Sequence, residues 1–293
     1  TRTIGFYFVN HGAPWGADDD TDMEYLYQYL LEKHQTNLLT PQQIREGWLA
    51  HIYTNEDAPF YKMFPDSKPE RENFLWVSNE KALYLMQAAL LPPATSEPDN
   101  NPNGHSIDAQ LTTEIFGAFS PARPDIALKI AELPIRTTAK GDAEWAAKFY
   151  VLMYSLASAS DSSKNMQSRT QWIASEARRH IPNESAIAKM YDFVKASYEQ
   201  NPDKEDWEKT RDEIYERYQK TSHDGYIYRE AFDAGINFAA SMVSLFYGQG
   251  DIAKTIKIGC LVGWDSDNPP ATWGGLLGFM IGKEGIEKAF DQY

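Results

Sequence analysis

The sequence predicts an all-α protein folded as a single domain, residues 1–293. Apolar side chains recur at helical spacing through most of the chain, and no run alternates in the manner of a β-strand. One helix start is explicit, because Thr40 can cap it, Pro41 suits its first position and Gln43 completes a capping box. The hydrophobic content of 42% is that of a chain with a folded core.

The same spacing predicts further helices. The first begins after an acidic run at residues 18–22, and the others are expected at 107–119, 125–131, 143–159, 229–247, 251–262 and after 268. Residues 161–222 carry many charges and few apolar anchors. We therefore expect a charged, peripheral excursion of amphipathic helices there.

Charge and cysteine content exclude several classes of function. The net charge of -14 repels nucleic acid and anionic membranes, and no apolar run approaches the length of a membrane span. We expect a soluble protein, with the cytoplasm as the preferred compartment and the oligomeric state left open. The single cysteine, Cys260, excludes an intramolecular disulfide and a cysteine zinc site, and its apolar neighbours predict a buried thiol.

Two acidic loops break the helical pattern, and each opens a helix. The first is DDDTD at residues 18–22, and the second is GWDSDN at residues 263–268. Clustered carboxylates repel one another unless a cation or solvent relieves them, and magnesium binds carboxylate, hydroxyl and amide oxygens. A single such loop is more often a helix cap than a metal site. Two loops of the same kind favour metal binding.

The helix after the second loop carries glycines at four-residue spacing. Gly274, Gly278 and Gly282 share one face, and Gly275 adds further room. Missing side chains let another backbone approach closely, so we expect this helix at the centre of the bundle.

These segments resemble the signature motifs of the ADP-ribosylglycohydrolase family. The family's early (T/S)-D-D-T motif is matched by residues 18–21, and its late G-x-D-x-D-T motif by residues 263–268. Between them, residues 103–110 (NGHSIDAQ) resemble the family's ligand-facing loop, and residues 119–127 and 246–251 resemble two further segments in the same order. The resemblance implies the family's single compact, orthogonal helical bundle.

The resemblance also implies a metal centre of two magnesium ions, with manganese as an alternative. Asp18 stands where the family has Thr or Ser, and Asn268 replaces a threonine with an amide that can still coordinate. The implied metal ligands are Asp18, Asp19, Asp20, Asp265, Asp267 and Asn268, with assistance from Thr21. Asp19, Asp20 and Asp267 are the implied catalytic residues, since the metal orients the water and the ribose while oxocarbenium character develops.

Substrate contacts are expected from the middle loop and from one tryptophan. The candidates are Asn103, His105, Ser106, Asp108 and Trp264, of which Trp264 could stack on an adenine or a sugar. Asp108 is equally well explained as a helix cap, and a histidine in a polar turn is usually a surface residue.

The implied function is magnesium-dependent hydrolysis of an ADP-ribosyl N- or O-glycosidic bond, with a small-molecule or protein-linked substrate. The alternatives are hydrolysis of another ribosyl or glycosyl conjugate, and a non-catalytic binding or structural role. The family's glycine-rich early segment, with a glutamate often given the general-base role, is expected upstream of Thr1. Glu24 is the nearest acidic substitute in this chain, although its place in a helix also predicts a solvated residue.

Overall fold

A computed structural model describes residues 19–53, 62–65 and 75–290. Within these ranges the chain forms helices and no β-strand, which confirms the predicted all-α class. The helices are α1 Asp19–His34, α2 Pro41–His51, α3 Val77–Gln87, α4 Asp108–Thr112, α5 Ile115–Ala118, α6 Pro124–Thr138, α7 Asp142–Ala157, α8 Met166–Arg179, α9 Ala186–Gln200, α10 Trp207–Ile214, α11 Ala234–Gly248, α12 Ile252–Leu261 and α13 Asn268–Phe290.

The predicted capping box opens α2. The Thr40 hydroxyl accepts the backbone amide of Gln43 at 3.2 Å, and the Gln43 side chain accepts the backbone amide of Thr40 at 2.9 Å. Both bonds satisfy amides that a helix start leaves without an intrahelical partner. Ile44 and Trp48, on the inner face of α2, are buried.

Three predicted helix boundaries were wrong. The helix expected from residue 229 begins only at Ala234. Residues 107–119 form two short helices, α4 and α5, because the hydroxyls of Thr112 and Thr113 bond back to the carbonyls of Asp108 and Ala109. Such bonds compete with helix continuation and bend the chain. Helix α6 runs past residue 131 to Thr138, with Pro134 inside it.

Helices α7 and α11 occupy the centre of the core. Every residue of α11 is buried, as expected of a helix that is surrounded on all sides. Phe149 of α7 meets Phe238 of α11 edge to face, with ring centroids 5.0 Å apart. Helix α9 packs against α11, where Tyr191 contacts Phe246 with ring centroids 5.7 Å apart.

Among the described residues, no other backbone approaches the glycine face of α13, so that prediction was wrong. A Cβ added at Gly274 would meet only the Ile256 side chain, at 3.6 Å, and Gly282 kinks the helix with a φ of 68°. The distal half of α13 lies at the surface. The close approach occurs at Gly275, where a Cβ would stand 2.5 Å from the Tyr154 hydroxyl.

Two further expectations concern exposure. Cys260 is exposed, contrary to the predicted buried thiol, because it lies on the outer face of α12. None of the helices within the described ranges combines the length and the apolar character that a membrane crossing requires.

Candidate active site

An acidic cavity of about 60 Å3 lies where the starts of α1, α4 and α13 meet. Its lining combines a polar wall with an apolar wall. The polar wall consists of Asp20, Asp108, Asp265, Asp267 and Asn268, and the apolar wall of Trp76, Val77, Ile107, Leu111 and Phe232. We call this cavity the acidic pocket. It brings together carboxylates from both predicted loops and from the segment between them.

The early acidic loop divides its side chains between two positions. Asp20 lines the acidic pocket. Asp19 is buried, and its Oδ2 accepts the Trp76 backbone amide at 2.8 Å and the Asn79 side-chain amide at 3.2 Å. Because Trp76 directly precedes α3, this oxygen of Asp19 anchors the start of that helix. Asp18, the third expected ligand of this loop, lies outside the described residues.

The late loop directs Asp265, Asp267 and Asn268 into the acidic pocket. Gly263 and Trp264 both have positive φ, of 105° and 56°, which turns the chain sharply after α12. The Asp265 backbone amide then donates to Asn237 Oδ1 at 3.0 Å. Asn237 is held in that orientation because its amide nitrogen donates to the carbonyls of Ala231 and Asp233. Asn237 was not predicted from the sequence as a residue of the site.

Crowding of like charges governs the electrostatics of the acidic pocket. The pKa of Asp265 is raised to about 7, first by burial and then by the hydrogen bond with Asp267 and the charges of Asp267 and Asp108. A hydrogen bond from Asn268 acts in the opposite direction. No Lys, Arg or His belongs to the lining within the described residues. The pocket is therefore suited to a cationic ligand or a metal ion.

The middle loop contributes one of its predicted contacts to the acidic pocket. Asp108 lines the pocket, and Ser106 Oγ lies 2.5 Å from its Oδ2. Asn103 instead donates to the carbonyl of Val77 at 3.3 Å. His105 faces away, with Nδ1 2.9 Å from the Pro102 carbonyl and Nε2 3.2 Å from Asp233 Oδ1, beside a separate cavity of about 230 Å3.

The aromatic side chain at the acidic pocket is Trp76, not the expected Trp264. Trp264 donates its indole N–H to Gln219 at 2.8 Å and lines a different surface cavity. Trp76 is 58% exposed, and its ring centroid lies 6.1 Å from that of Phe232. Neither of these two aromatic residues of the apolar wall was predicted from the sequence, and the stretch around Trp76 shows no periodicity.

A second carboxyl pair lies close to the acidic pocket. Glu24 is partly buried, contrary to the solvated position that its place in a helix predicted, and its Oε1 accepts the Ile115 backbone amide at 3.1 Å. Burial raises the pKa of Glu24 to about 7. Burial, and then the charge of Glu24, raises the pKa of Glu114. Glu114 carries no sequence signal and was not predicted.

The donor set of the acidic pocket matches the chemistry of magnesium. Carboxylate and amide oxygens are the ligands that this ion takes from proteins, usually with several waters retained. Over the described part of the chain, no three His, Cys, Asp or Glu side chains already form a group that could hold a metal. A metal ion would therefore draw these carboxylates closer together or bind through water.

The fold and the pocket define a class: an all-helical protein with a carboxylate centre built from loops that open helices. The family model described as ADP-ribosylglycohydrolase matches residues 3–291. The chain belongs to the ADP-ribosylglycohydrolase family, which hydrolyses glycosidic bonds of ADP-ribosyl conjugates. The chain matches no curated protein and no solved structure. The resemblance drawn from its motifs is thereby confirmed.

Proposed function

We propose that the acidic pocket hydrolyses the N- or O-glycosidic bond of an ADP-ribosyl conjugate in the presence of magnesium. One observation carries the proposal. Asp20, Asp108, Asp265 and Asp267 line a single cavity without a basic residue among its described lining, and Asp265 has a pKa of about 7. Such a perturbed carboxyl in a cleft is a typical feature of a functional site.

The residues have separate roles in this proposal. Asp20, Asp265, Asp267 and Asn268 supply the oxygens that would hold magnesium or manganese. The bound ion would supply Lewis-acid polarisation of the attacking water and of the ribose hydroxyls. The carboxylates also stabilise the positive charge that develops at the anomeric carbon during glycosidic cleavage. Negative charge in the pocket thus serves both metal binding and the transition state.

The remaining residues of the lining orient the substrate. Asp108, with Ser106 Oγ 2.5 Å away, can accept a hydrogen bond from a ribose hydroxyl. Trp76 and Phe232 offer an apolar face on which a ring can pack. A wall of carboxylates opposite an aromatic wall suits a sugar, which has polar edges and less polar faces.

A second candidate substrate is a ribosyl or glycosyl conjugate without a pyrophosphate. The observation that favours it is the same lining, because no Lys, Arg or His of the described residues is there to bind a pyrophosphate. Under this alternative the metal chemistry stays unchanged and only the leaving group differs.

Hydrolysis of a substrate panel tests the proposal. The panel contains ADP-ribosyl-arginine, ADP-ribosyl-serine, O-acetyl-ADP-ribose and simple ribosides, each assayed with magnesium and with a chelator. We expect magnesium-dependent release of ADP-ribose, with a loss of about a hundredfold or more in Asp20→Asn and Asp265→Asn. Asp99→Asn, at an exposed position outside the pocket, is the control. Turnover that chelator leaves unchanged would refute the metal proposal, and no turnover on any substrate would favour a non-catalytic role.

A further inference from the structure

Glu24 and Glu114 lie just outside the acidic pocket. Glu24 follows Asp20 by four residues on α1, and Glu114 directly precedes α5. Neither carboxyl belongs to the pocket lining. Within the described part of the chain, neither forms an ion pair with Lys, Arg or His. Two partly buried carboxyl groups thus lie near each other without a basic partner among the described residues.

Glu114 connects α7 and α13 through its two oxygens. Its Oε2 accepts the Thr272 hydroxyl of α13 at 3.1 Å, and its Oε1 lies 3.3 Å from the Tyr154 hydroxyl of α7. The Tyr154 hydroxyl also lies 2.9 Å from the Thr272 carbonyl. Gly275 leaves the space that the Tyr154 hydroxyl occupies.

The Tyr154 contacts imply a proton on Glu114. A phenol has one hydrogen to donate, and here it faces two acceptors. The shorter contact, to the Thr272 carbonyl, takes this hydrogen. The contact between Tyr154 and Glu114 is then a hydrogen bond only if the glutamic acid is the donor.

The charges and the burial around Glu114 also favour its protonated form. The charge of Glu24 raises the pKa of Glu114, as does the charge of Asp20, and burial raises the pKa of both glutamates. Like charges in a partly buried site favour a single shared negative charge. Besides Asp20, the titratable groups around the pair within the described residues are Tyr150 and Tyr154, whose pKa values burial raises, so both phenols stay neutral.

We propose that Glu114 carries a proton, and that Glu24 and Glu114 are positioning residues that hold the start of α1 against the start of α13. Glu24 lies four residues after Asp20, and Thr272 lies four residues after Asn268. Residues at that spacing are neighbours on one helix face, so the pair joins the two helices one turn below the acidic pocket. The inference relies on the proposed function only in taking that pocket as the active site.

Hydrogen exchange of backbone amides tests the positioning without metal or substrate. At about pH 6 we compare residues 19–26 and 268–276 in the wild type, Glu114→Ala, Glu114→Gln and Glu32→Gln. Glu32 is an exposed glutamate of the same helix as Glu24 and serves as the matched control. We expect exchange at least about tenfold faster in both segments of Glu114→Ala, and within about threefold of the wild type in the other two variants.

The dependence of stability on pH tests whether Glu114 is protonated in the folded state. The raised pKa values make the folded state bind protons more tightly than the unfolded state, so this contribution to stability is lost as the pH rises from about 4.5 to about 7. Glu114→Gln and Glu24→Gln should therefore gain stability relative to the wild type as the pH rises. Glu32→Gln should keep a constant difference.

Each outcome decides the proposal. Wild-type exchange in either segment of Glu114→Ala, or a pH-independent difference for Glu114→Gln, would overturn it. If Glu114→Ala does not fold, Thr272→Val, which removes one contact of Glu114, and Tyr154→Phe, which removes the contacts of the phenol with Glu114 and with the Thr272 carbonyl, are judged by the same comparison. Because no metal or substrate is present, the result stands apart from any hydrolysis assay and can fail separately from the proposed function.

Discussion

The carboxylate of Asp19 accepts the backbone amide of Trp76 at 2.8 Å, which connects the early acidic loop to the aromatic wall of the acidic pocket. The same oxygen accepts a hydrogen bond from the Asn79 side-chain amide. These two bonds fix the start of α3 and the position of Trp76 directly before it. Adjacent aspartates thus serve different purposes. Asp19 supports the wall, while Asp20 lines the pocket.

Replacement of Asp19 should destabilise the fold. Asp19→Ala leaves the Trp76 amide and the Asn79 side chain without their acceptor in a buried place, which costs about 1–3 kcal/mol. Urea unfolding measures the loss. Asp22→Asn, at an exposed position of the same helical turn, is the control and should change stability by less than about 0.5 kcal/mol. Equal effects at the two positions would contradict this role of Asp19.

Asp265→Asn should stabilise the metal-free protein above neutral pH. The folded-state pKa of about 7 lies above the ordinary value of 3.8, so Asp265 contributes stability at low pH that is lost as the pH rises through about 7. The amide removes this penalty. We expect the unfolding free energy to rise by about 2 kcal/mol at pH 8 in chelator. This is less than the raised pKa alone implies, because solvent screens the partly exposed carboxyl.

The same variant should show little gain below about pH 3, where the wild-type carboxyl is protonated in both states. Denaturant unfolding across the pH range provides the measurement. If the wild type is more stable than Asp265→Asn at pH 8 without metal, that result contradicts the assigned crowding of negative charges.

Trp76→Ala should weaken substrate binding with little effect on stability. The side chain is 58% exposed, so its removal costs the fold little, while a ring that stacks on it loses about 1–3 kcal/mol of binding. We expect KM to rise about tenfold or more with a smaller change in kcat. Trp172→Ala, a comparably exposed tryptophan of α8, should leave KM unchanged. A KM that does not respond to the loss of Trp76 would exclude stacking there.

Gly275→Ala should disturb the contact between Tyr154 and Glu114. The new Cβ would stand 2.5 Å from the Tyr154 hydroxyl, which has to move away from the Glu114 carboxyl. We expect a loss of about 1–3 kcal/mol in unfolding free energy. Gly274→Ala, one residue earlier with ordinary contacts at 3.6 Å, is the matched control and should be neutral or stabilising by up to about 1 kcal/mol. Matching losses at both glycines would indicate a general effect on α13.

The helices and part of the acidic pocket could be predicted from the sequence. Asp20, Asp265 and Asp267 were found because acidic loops interrupt a clear helical period, and that interruption is local in the chain. The directions of His105 and Trp264 could not be predicted, because they depend on loop dihedral angles such as the φ of 56° at Trp264. Trp76 and Phe232 in the pocket, and Glu114 beside it, were missed since only tertiary packing brings these residues into place.

The thermal midpoint in the presence of magnesium and ADP-ribose tests the central claim most directly. A ligand that binds only the folded state at 100 times its Kd adds about 2.7 kcal/mol of stability, a readily measured shift. We predict a rise in the wild type that requires both magnesium and ADP-ribose and that disappears in Asp265→Asn. No rise in the wild type, or an equal rise in Asp265→Asn, would contradict the assignment of the acidic pocket as the active site.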